Sequence, residues 1–324
     1  MDFRTRFHPD PIAQKIKRGE RILFAGSCFA ENISSRLQVY TFNCLYDPLG
    51  IVYNPVSLAK HLEMFLQNKE ISPDELFFFH GTYRHWQVHS RLSAPDKHKT
   101  LSDMRNAIAE GHIFLQHTDV LILTFGTAIA YMHKENNVLV GNNHKVAGNA
   151  FDRVFLSVET CISAWQECIQ RLQELRPNMR ILCTVSPVRH LKEGTIDNTR
   201  SKAVLHLLCK ALTEQYDHVS YFPAYELLMD DLRDYRFYAE DMVHPNSTAI
   251  DYIFSAFAEA CIDSAFHPVM QKLDAIHAAM QHKAFHPDSE EHKAFKQRML
   301  NTVQKLAEEY PDMALDSALH YFMD

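Results

Sequence analysis

Short continuous apolar runs and longer stretches with helical spacing alternate along most of the chain. The apolar runs predict buried strands at residues 22–25, 39–42, 119–125, 180–185 and 219–222. Apolar positions recurring at steps of three and four predict helices at residues 31–37, 58–66, 101–116, 161–175, 201–212 and 247–263. This alternation predicts an α/β fold, a doubly wound parallel sheet of about five strands with helices on both faces.

The pattern also divides the chain. Residues 1–264 carry the alternation and predict one α/β domain, whereas residues 265–324 lack strand patterns and predict a helical C-terminal extension. Within the domain, the aromatic segment 72–93 indicates a hairpin or a lid, and residues 132–153 read as a loop-rich insert.

Composition narrows the classes of protein. With 324 residues and 46% hydrophobic content the chain can bury one sizeable core. The formal net charge of −7 does not indicate the basic surface that binding to nucleic acid requires, so we expect no nucleic-acid partner. No apolar run approaches the length of a membrane span, and the first ten residues are charged where a signal peptide needs an apolar segment, so we expect a cytoplasmic protein.

The seven cysteines are an odd number without a CxxC pair, which argues against a disulfide framework or a structural zinc site. Cys161 and Cys168 fall with Trp165 and Leu172 on one helical stripe, and this spacing predicts core thiols. Twenty histidines include no HExxH motif. We therefore expect neither a metal nor a nucleotide cofactor.

Candidate chemistry begins where the first apolar run stops, at Gly26-Ser27-Cys28, with a predicted helix directly after it. The run at 119–125 also ends in a glycine and a hydroxyl, Gly126-Thr127. Open α/β sheets hold their ligands at the carboxyl ends of the strands, so we expect these turns to share one edge.

Asp241 and His244 follow the last predicted strand, and Pro245 biases His244 toward an extended conformation. A carboxylate three residues before a histidine in a loop can accept from Nδ1–H and leave Nε2 free as a base. Asp274 and His277 repeat the spacing inside the helical tail, where an exposed helix pair is the simpler interpretation.

These residues resemble a known family. Gly26-Ser27-Cys28-Phe29-Ala30 spells the signature of the GSCFA family, which is similar to the SGNH or GDSL-type hydrolases. Four further stretches accompany this signature: NNHK from Asn142, SPVRH from Ser186, DYRFY from Asp234 and DMVHP from Asp241. The resemblance covers about residues 22–257 and implies a flavodoxin-like SGNH-hydrolase fold with a nucleophile, histidine and aspartate site. Fold alone does not establish activity.

Two candidates remain for the nucleophile. Counted from Gly26, Cys28 stands where GDSL-type relatives carry serine, and Phe29 repeats their apolar next residue. A thiol near a helix N-terminus and an imidazole attacks acyl groups well. Alternatively, Ser27 is the nucleophile or the helix cap, and Cys28 packs as a small apolar side chain.

The oxyanion loop departs from the superfamily pattern, because Gly126-Thr127-Ala128-Ile129 replaces Gly-x-Asn-Asp. Gly50, Gly126 and Thr127 are the expected oxyanion donors, with Asn142 as a further side-chain candidate. The candidate substrate-binding residues are Asn54, Asn142, His144, Arg189 and His190. Asn54-Pro55 also fits a helix start, and the other polar groups fit surface loops.

The sequence thus predicts an acyl-ester hydrolase or acyltransferase that acts on a small-molecule or carbohydrate acyl substrate, through Cys28 or Ser27, His244 and Asp241. The alternative is a binding module in which Arg189 and Lys145 hold a phosphate or sugar without chemistry. The sequence does not indicate an oligomeric state.

Overall fold

The computed structural model describes residues 4–282, 285–286 and 289–323. Its strands are β1 (Arg21–Gly26), β2 (Asn43–Tyr46), β3 (Phe77–Phe79), β4 (Thr82–Arg84), β5 (Val120–Phe125), β6 (Ile129–His133), β7 (Val138–Val140), β8 (Phe151–Phe155), β9 (Arg180–Val185) and β10 (Val219–Tyr221). Its helices are α1 (Cys28–Val39), α2 (Pro55–Leu66), α3 (Lys97–Leu115), α4 (Val158–Leu175), α5 (Thr195–Gln215), α6 (Ala224–Glu226), α7 (Ser247–Cys261), α8 (His267–Gln281), α9 (Glu290–Glu309) and α10 (Asp316–Met323).

The central sheet has five strands in the order β10-β9-β5-β1-β2. All four neighbouring pairs are parallel. The doubly wound α/β fold with about five strands is confirmed. Because the strands are parallel, β1, β5 and β9 end at the same edge of the sheet, where Gly26 lies opposite Thr124 and Phe125 opposite Val185.

Side chains of the central strands alternate between two buried layers. Leu23, Leu121 and Cys183 face a hydrophobic cluster shared with α2 to α5. Phe24 and Ile122 face a second cluster, shared with α1 and α7. Burial on both faces explains why these strands appear in the sequence as continuous apolar runs rather than as alternating ones.

Two sequence predictions about secondary structure were wrong. Residues 39–42 are not a strand, because α1 continues to Val39 and the chain turns through Thr41 at a φ of 61° before β2 begins at Asn43. The insert at 132–153 is not a loop. It contributes to a three-stranded antiparallel sheet, β7-β6-β8, while β3 and β4 form the expected hairpin.

The C-terminal helices α8 to α10 pack on the α1 and α7 side of the sheet. Leu273 and Ile276 of α8 belong to the same buried cluster as Phe257 of α7. Tyr40, at the end of α1, stacks on Phe254 with 5.6 Å between ring centroids and donates a 2.6 Å hydrogen bond to Asp274. The apolar surface of α1 and α7 is therefore covered by the extension.

None of the helices that the structure describes combines the length and apolar character that crossing a membrane requires.

Candidate active site

The turn between β1 and α1 depends on glycine. Gly26 has a φ of +122°, and a Cβ there would lie 2.2 Å from the carbonyl oxygen of Thr124. Side-chain-bearing residues rarely adopt this φ, and that oxygen leaves no room for a methyl group. The oxygen instead accepts a hydrogen bond of 3.1 Å from Ser27 N–H. Glycine thus brings the start of α1 directly against the end of β5.

The two nucleophile candidates have different surroundings. Ser27 is 0% exposed and caps α1, with its hydroxyl accepting from Phe29 N–H at 3.3 Å. Cys28 is the first residue of α1 and is partly exposed. A buried capping hydroxyl is already committed to the backbone, whereas the Cys28 thiol can be reached from solvent.

The electrostatics of Cys28 differ from the expectation for a thiol at a helix N-terminus. Burial raises the pKa of Cys28, and the carboxylate of Glu31 raises it further. The amides of Cys28 and Phe29 and the charge of Lys202 act in the opposite direction without cancelling this rise. The thiol therefore needs help to ionise at neutral pH.

Asp241 and His244 form a close pair in the loop before α7. Asp241 Oδ2 lies 2.6 Å from His244 Nδ1, and Oδ1 accepts from the amides of Val243 and His244 at 2.9 and 3.0 Å. The His244 amide, its ring and the Val243 amide lower the pKa of Asp241 to about 2. The carboxylate is thus ionised at neutral pH, and it holds the imidazole proton on Nδ1.

Arg189 connects this loop to the end of β9. Its amide donates to Val243 O at 3.1 Å, and Nη1 donates to Met242 O at 3.2 Å. The guanidinium lies 5.5 Å from the ring centroid of Tyr238. The structure thus shows Arg189 as an anchor of this loop, and its guanidinium makes no further hydrogen bond within the described residues.

A cavity of about 400 Å³ opens beside these elements. Five of the expected oxyanion and substrate-binding residues line it: Asn54, Thr127, Asn142, Arg189 and His190. The wall also includes aromatic, cationic and apolar side chains, namely Tyr53, Tyr131, Lys192 and Val243. Val243 precedes His244, so the cavity lies next to the Asp241 and His244 pair. Cys28 and His244 themselves do not form its wall.

The expected oxyanion amides are engaged elsewhere. Gly50 N–H donates to Asp47 O at 2.9 Å, while Gly126 and Thr127 both donate to Tyr53 O, at 2.8 and 3.0 Å. The Thr127 hydroxyl lies 2.9 Å from the Ser201 hydroxyl. A helix leaves its first N–H groups without intrahelical partners, so the amide of Cys28 remains a candidate donor at this edge.

The two candidate histidines of the binding site differ. His144 is buried outside the cavity wall, with Nδ1 2.9 Å from Ser90 Oγ and Nε2 2.9 Å from His85 O. His190 lies in the wall against Tyr53, and its Nε2 is buried without a hydrogen-bond partner among the described residues. Burial, with the charges of Lys202 and His244, lowers the pKa of His190 to about 3, so its ring is neutral.

The asparagines act mainly on the backbone. Asn54 Oδ1 accepts from Ser57 N at 2.8 Å as the cap of α2, and Asn142 Oδ1 accepts from His144 N at 2.8 Å. Both still border the cavity. In the part of the chain that the structure describes, no group of three or more His, Cys, Asp and Glu side chains is arranged to hold a metal ion.

The sequence reasoning missed Lys202, which is 2% exposed at the same sheet edge. Its Nζ donates to Gly126 O and to Ser186 O, both at 2.7 Å. A signal was present, because Lys202 shares the buried stripe of α5 with Leu205 and Leu212. A lysine on a helical core stripe is rarely buried without a partner.

Comparison with known proteins adds the family. The GSCFA family model matches residues 21–257, and the model for the C-terminal domain of GSCFA domain proteins matches residues 273–324. No curated protein matched the chain.

Several solved structures are distantly similar. A protein from Streptococcus pneumonia, assigned as a platelet activating factor, is 12% identical with a TM-score of 0.39, covering 74% of this chain and 83% of its own. A carbohydrate esterase family 3 from Talaromyces cellulolyticus is 8% identical with a TM-score of 0.36, covering 79% and 99%. A Clostridium thermocellum family 3 carbohydrate esterase is 10% identical with a TM-score of 0.34, covering 80% and 98%.

Proposed function

The chain belongs to the GSCFA family, and we propose that it is an acyl-ester hydrolase or acyltransferase with Cys28 as nucleophile. The observation that carries the proposal is the 2.6 Å contact between Asp241 and His244. Because Nδ1 is held by Asp241, Nε2 is the ring nitrogen of His244 that can act as a base. The preceding residue, Val243, lines the cavity. A histidine oriented by a carboxylate is the base that acyl transfer needs.

The reaction has two steps. His244 Nε2 takes the proton of the Cys28 thiol, Sγ attacks the acyl carbon, and the ester C–O bond breaks as Nε2 returns the proton to the leaving alkoxide. Water or an alcohol then attacks the thioester, giving its proton to Nε2, and Sγ leaves. Asp241 holds the imidazole and stabilises its charged form in both steps.

Among the described residues, no hydrogen bond joins Cys28 to His244, whose Nδ1 is instead engaged by Asp241. Catalytic hydrogen bonds often shorten only when substrate is bound. The amide of Arg189, just after β9, donates to Val243 O at 3.1 Å and so holds the His244 loop at the carboxyl edge of the sheet, where Cys28 also lies.

One finding favours the alternative of a binding module. The amides of Gly50, Gly126 and Thr127 are already bound to carbonyl oxygens, which leaves few donors for an oxyanion. In that case Arg189 and Lys192, both in the cavity wall, hold an anionic or sugar ligand and no acyl group is transferred. Lys145, the other cation expected to take part, does not line the cavity.

Acylation with 4-nitrophenyl acetate, followed by intact mass and peptide mapping, separates the two functions. We expect one acetyl group on the peptide that contains Cys28 and none in Cys28→Ala. Ser27→Ala should still be acetylated, although loss of the helix cap is expected to lower stability by about 1 kcal/mol.

An adduct on Ser27, or an unchanged acetylation rate in Cys28→Ala, would remove Cys28 from the mechanism. If the wild-type protein acquires no site-specific adduct, the binding module is the better description.

A further inference from the structure

We propose that Lys202 is a positioning residue of this site, whose buried ammonium, held on the ends of β5 and β9, stabilises the thiolate of Cys28. The inference rests on Cys28 being the reactive group of the proposed function. It assigns a role to a side chain that the proposed acyl-transfer steps do not use.

The first observation is how Lys202 is held. Gly126 is the first residue after β5 and Ser186 the first after β9, and the two strands are neighbours in the sheet. Lys202 Nζ donates a 2.7 Å hydrogen bond to the carbonyl of each. The ammonium is thus fixed at the carboxyl edge, one strand away from the turn that carries Cys28.

The second observation is the absence of a counter-ion. No carboxylate in the described part of the chain forms an ion pair with Lys202. Its ammonium donates to the two carbonyls and lies 5.8 Å from the ring centroid of Tyr225. Burying an unpaired ammonium is costly, and carbonyl dipoles only partly replace water. The Cys28 thiol lies at the same sheet edge, in the turn after the neighbouring strand β1, and it is the group that this charge stabilises when it ionises.

The charges facing the two groups fit this arrangement. Burial lowers the pKa of Lys202 to about 7, and the negative charge of an ionised Cys28 acts in the opposite direction. His190 and His206 also face Lys202, and in both the lysine charge helps to lower the pKa. Around Cys28 the other titratable groups are Glu31, Tyr46 and Tyr53.

Lys202 is therefore the cation that partly opposes the effects of burial and of Glu31 on the pKa of the thiol. In a medium of low dielectric constant this attraction is stronger than at the surface. When Cys28 ionises, the two charges stabilise each other, and the thiolate becomes more abundant at neutral pH. The same hydrogen bonds keep the strand ends in place, so a test must separate charge from scaffolding.

The rate of alkylation by iodoacetamide against pH makes that separation, because it follows the thiolate and requires no turnover. The thiolate attacks the carbon of the reagent, a C–S bond forms and iodide leaves. Peptide mapping restricts the measurement to Cys28, and Cys28→Ala gives the background from Cys44, whose pKa burial raises to about 12.

Lys202→Met should move the midpoint of the Cys28 profile to higher pH and slow alkylation roughly tenfold at pH 7.5. Lys202→Arg keeps a fixed charge and should restore the midpoint. Glu31→Gln, an exposed control, should move it in the opposite direction. A purely structural role would lower the melting temperature of Lys202→Met but leave the midpoint unchanged, and that result would overturn the proposal.

A measurement on the wild-type protein tests the proposal even if the Lys202 variants do not fold. Lysine labelled with ¹³C at Cε should show one signal that titrates near pH 7, from Lys202. Blocking Cys28 with methyl methanethiosulfonate, which forms a neutral disulfide and releases methanesulfinate, should move this titration to lower pH. An unchanged titration would contradict the coupling.

These outcomes are independent of the proposed reaction. A shifted alkylation profile without acetylation by 4-nitrophenyl acetate would support Lys202 and refute the acyl transfer. Acetylation of Cys28 together with an unshifted alkylation profile would support the acyl transfer and refute the role of Lys202.

Discussion

Replacing His244 by Ala will lower kcat/KM for short acyl esters by about 10²- to 10⁴-fold while leaving the fold intact. The side chain is half exposed and packs little, so its loss should not disturb the core. Its removal leaves Cys28 without a base and the leaving alkoxide without a proton donor. Steady-state hydrolysis of 4-nitrophenyl acetate, with the melting temperature measured in parallel, checks the prediction.

The chain contains its own control. Asp274 and His277 repeat the D-x-x-H spacing, but Asp274 accepts its hydrogen bond from Tyr40. No ion pair joins His277 to Asp274 among the described residues. His277→Ala should therefore leave turnover unchanged. If His244→Ala retains turnover within about threefold of wild type, the base lies elsewhere and the proposed mechanism fails.

Replacing His61 by Ala will destabilise the protein by about 3–5 kcal/mol, because it leaves a buried carboxylate without its partner. His61 and Asp47 are both 0% exposed, with 2.7 Å between Nδ1 and Oδ2. His61 Nε2 lies 2.5 Å from Gln87 O. Both ring nitrogens thus face acceptors, and only the doubly protonated imidazolium can donate to both.

The pH dependence follows from this pair. Burial lowers the pKa of His61, but the charge and hydrogen bond of Asp47, with the Gln87 carbonyl, outweigh it and leave the pKa above its usual value. The stabilisation is therefore complete below about pH 6.5, the unfolded value, and is lost as pH rises through the folded pKa.

Urea denaturation at pH 6 and pH 9 measures both effects. The difference in unfolding free energy between wild type and His61→Ala should be larger at pH 6 than at pH 9. His98→Ala, at an exposed position of α3, should stay within about 0.5 kcal/mol of wild type at both values. A difference that grows toward pH 9 would show that His61 is neutral in the folded protein.

The centre of the sheet could be predicted because β1, β5 and β9 are largely apolar on both faces. Strand β9 was predicted with its observed bounds, Arg180–Val185. The strands β6 to β8 could not be found in this way, since each is only three to five residues long and none forms a long continuous apolar run. Strand β2 was misplaced because Val39 belongs to the last turn of α1.

The candidate site was predictable where function depends on local spacing. Asp241 and His244 are three residues apart, and their contact follows from the loop before Pro245. Contacts between distant parts of the chain left no such pattern. Lys202 reaches Gly126 across 76 positions, and Asp47 meets His61 only because the turn after β2 packs against α2.

The packing of the C-terminal helices bears on how shortened versions of the protein would behave. A chain that ended near residue 264 would lose the edge-on contact of Phe266 with Phe42 and the hydrogen bond that Tyr40 donates to Asp274. Such a fragment would expose apolar surface and self-associate during expression. Recombinant production is therefore best attempted with helices α8 to α10 included.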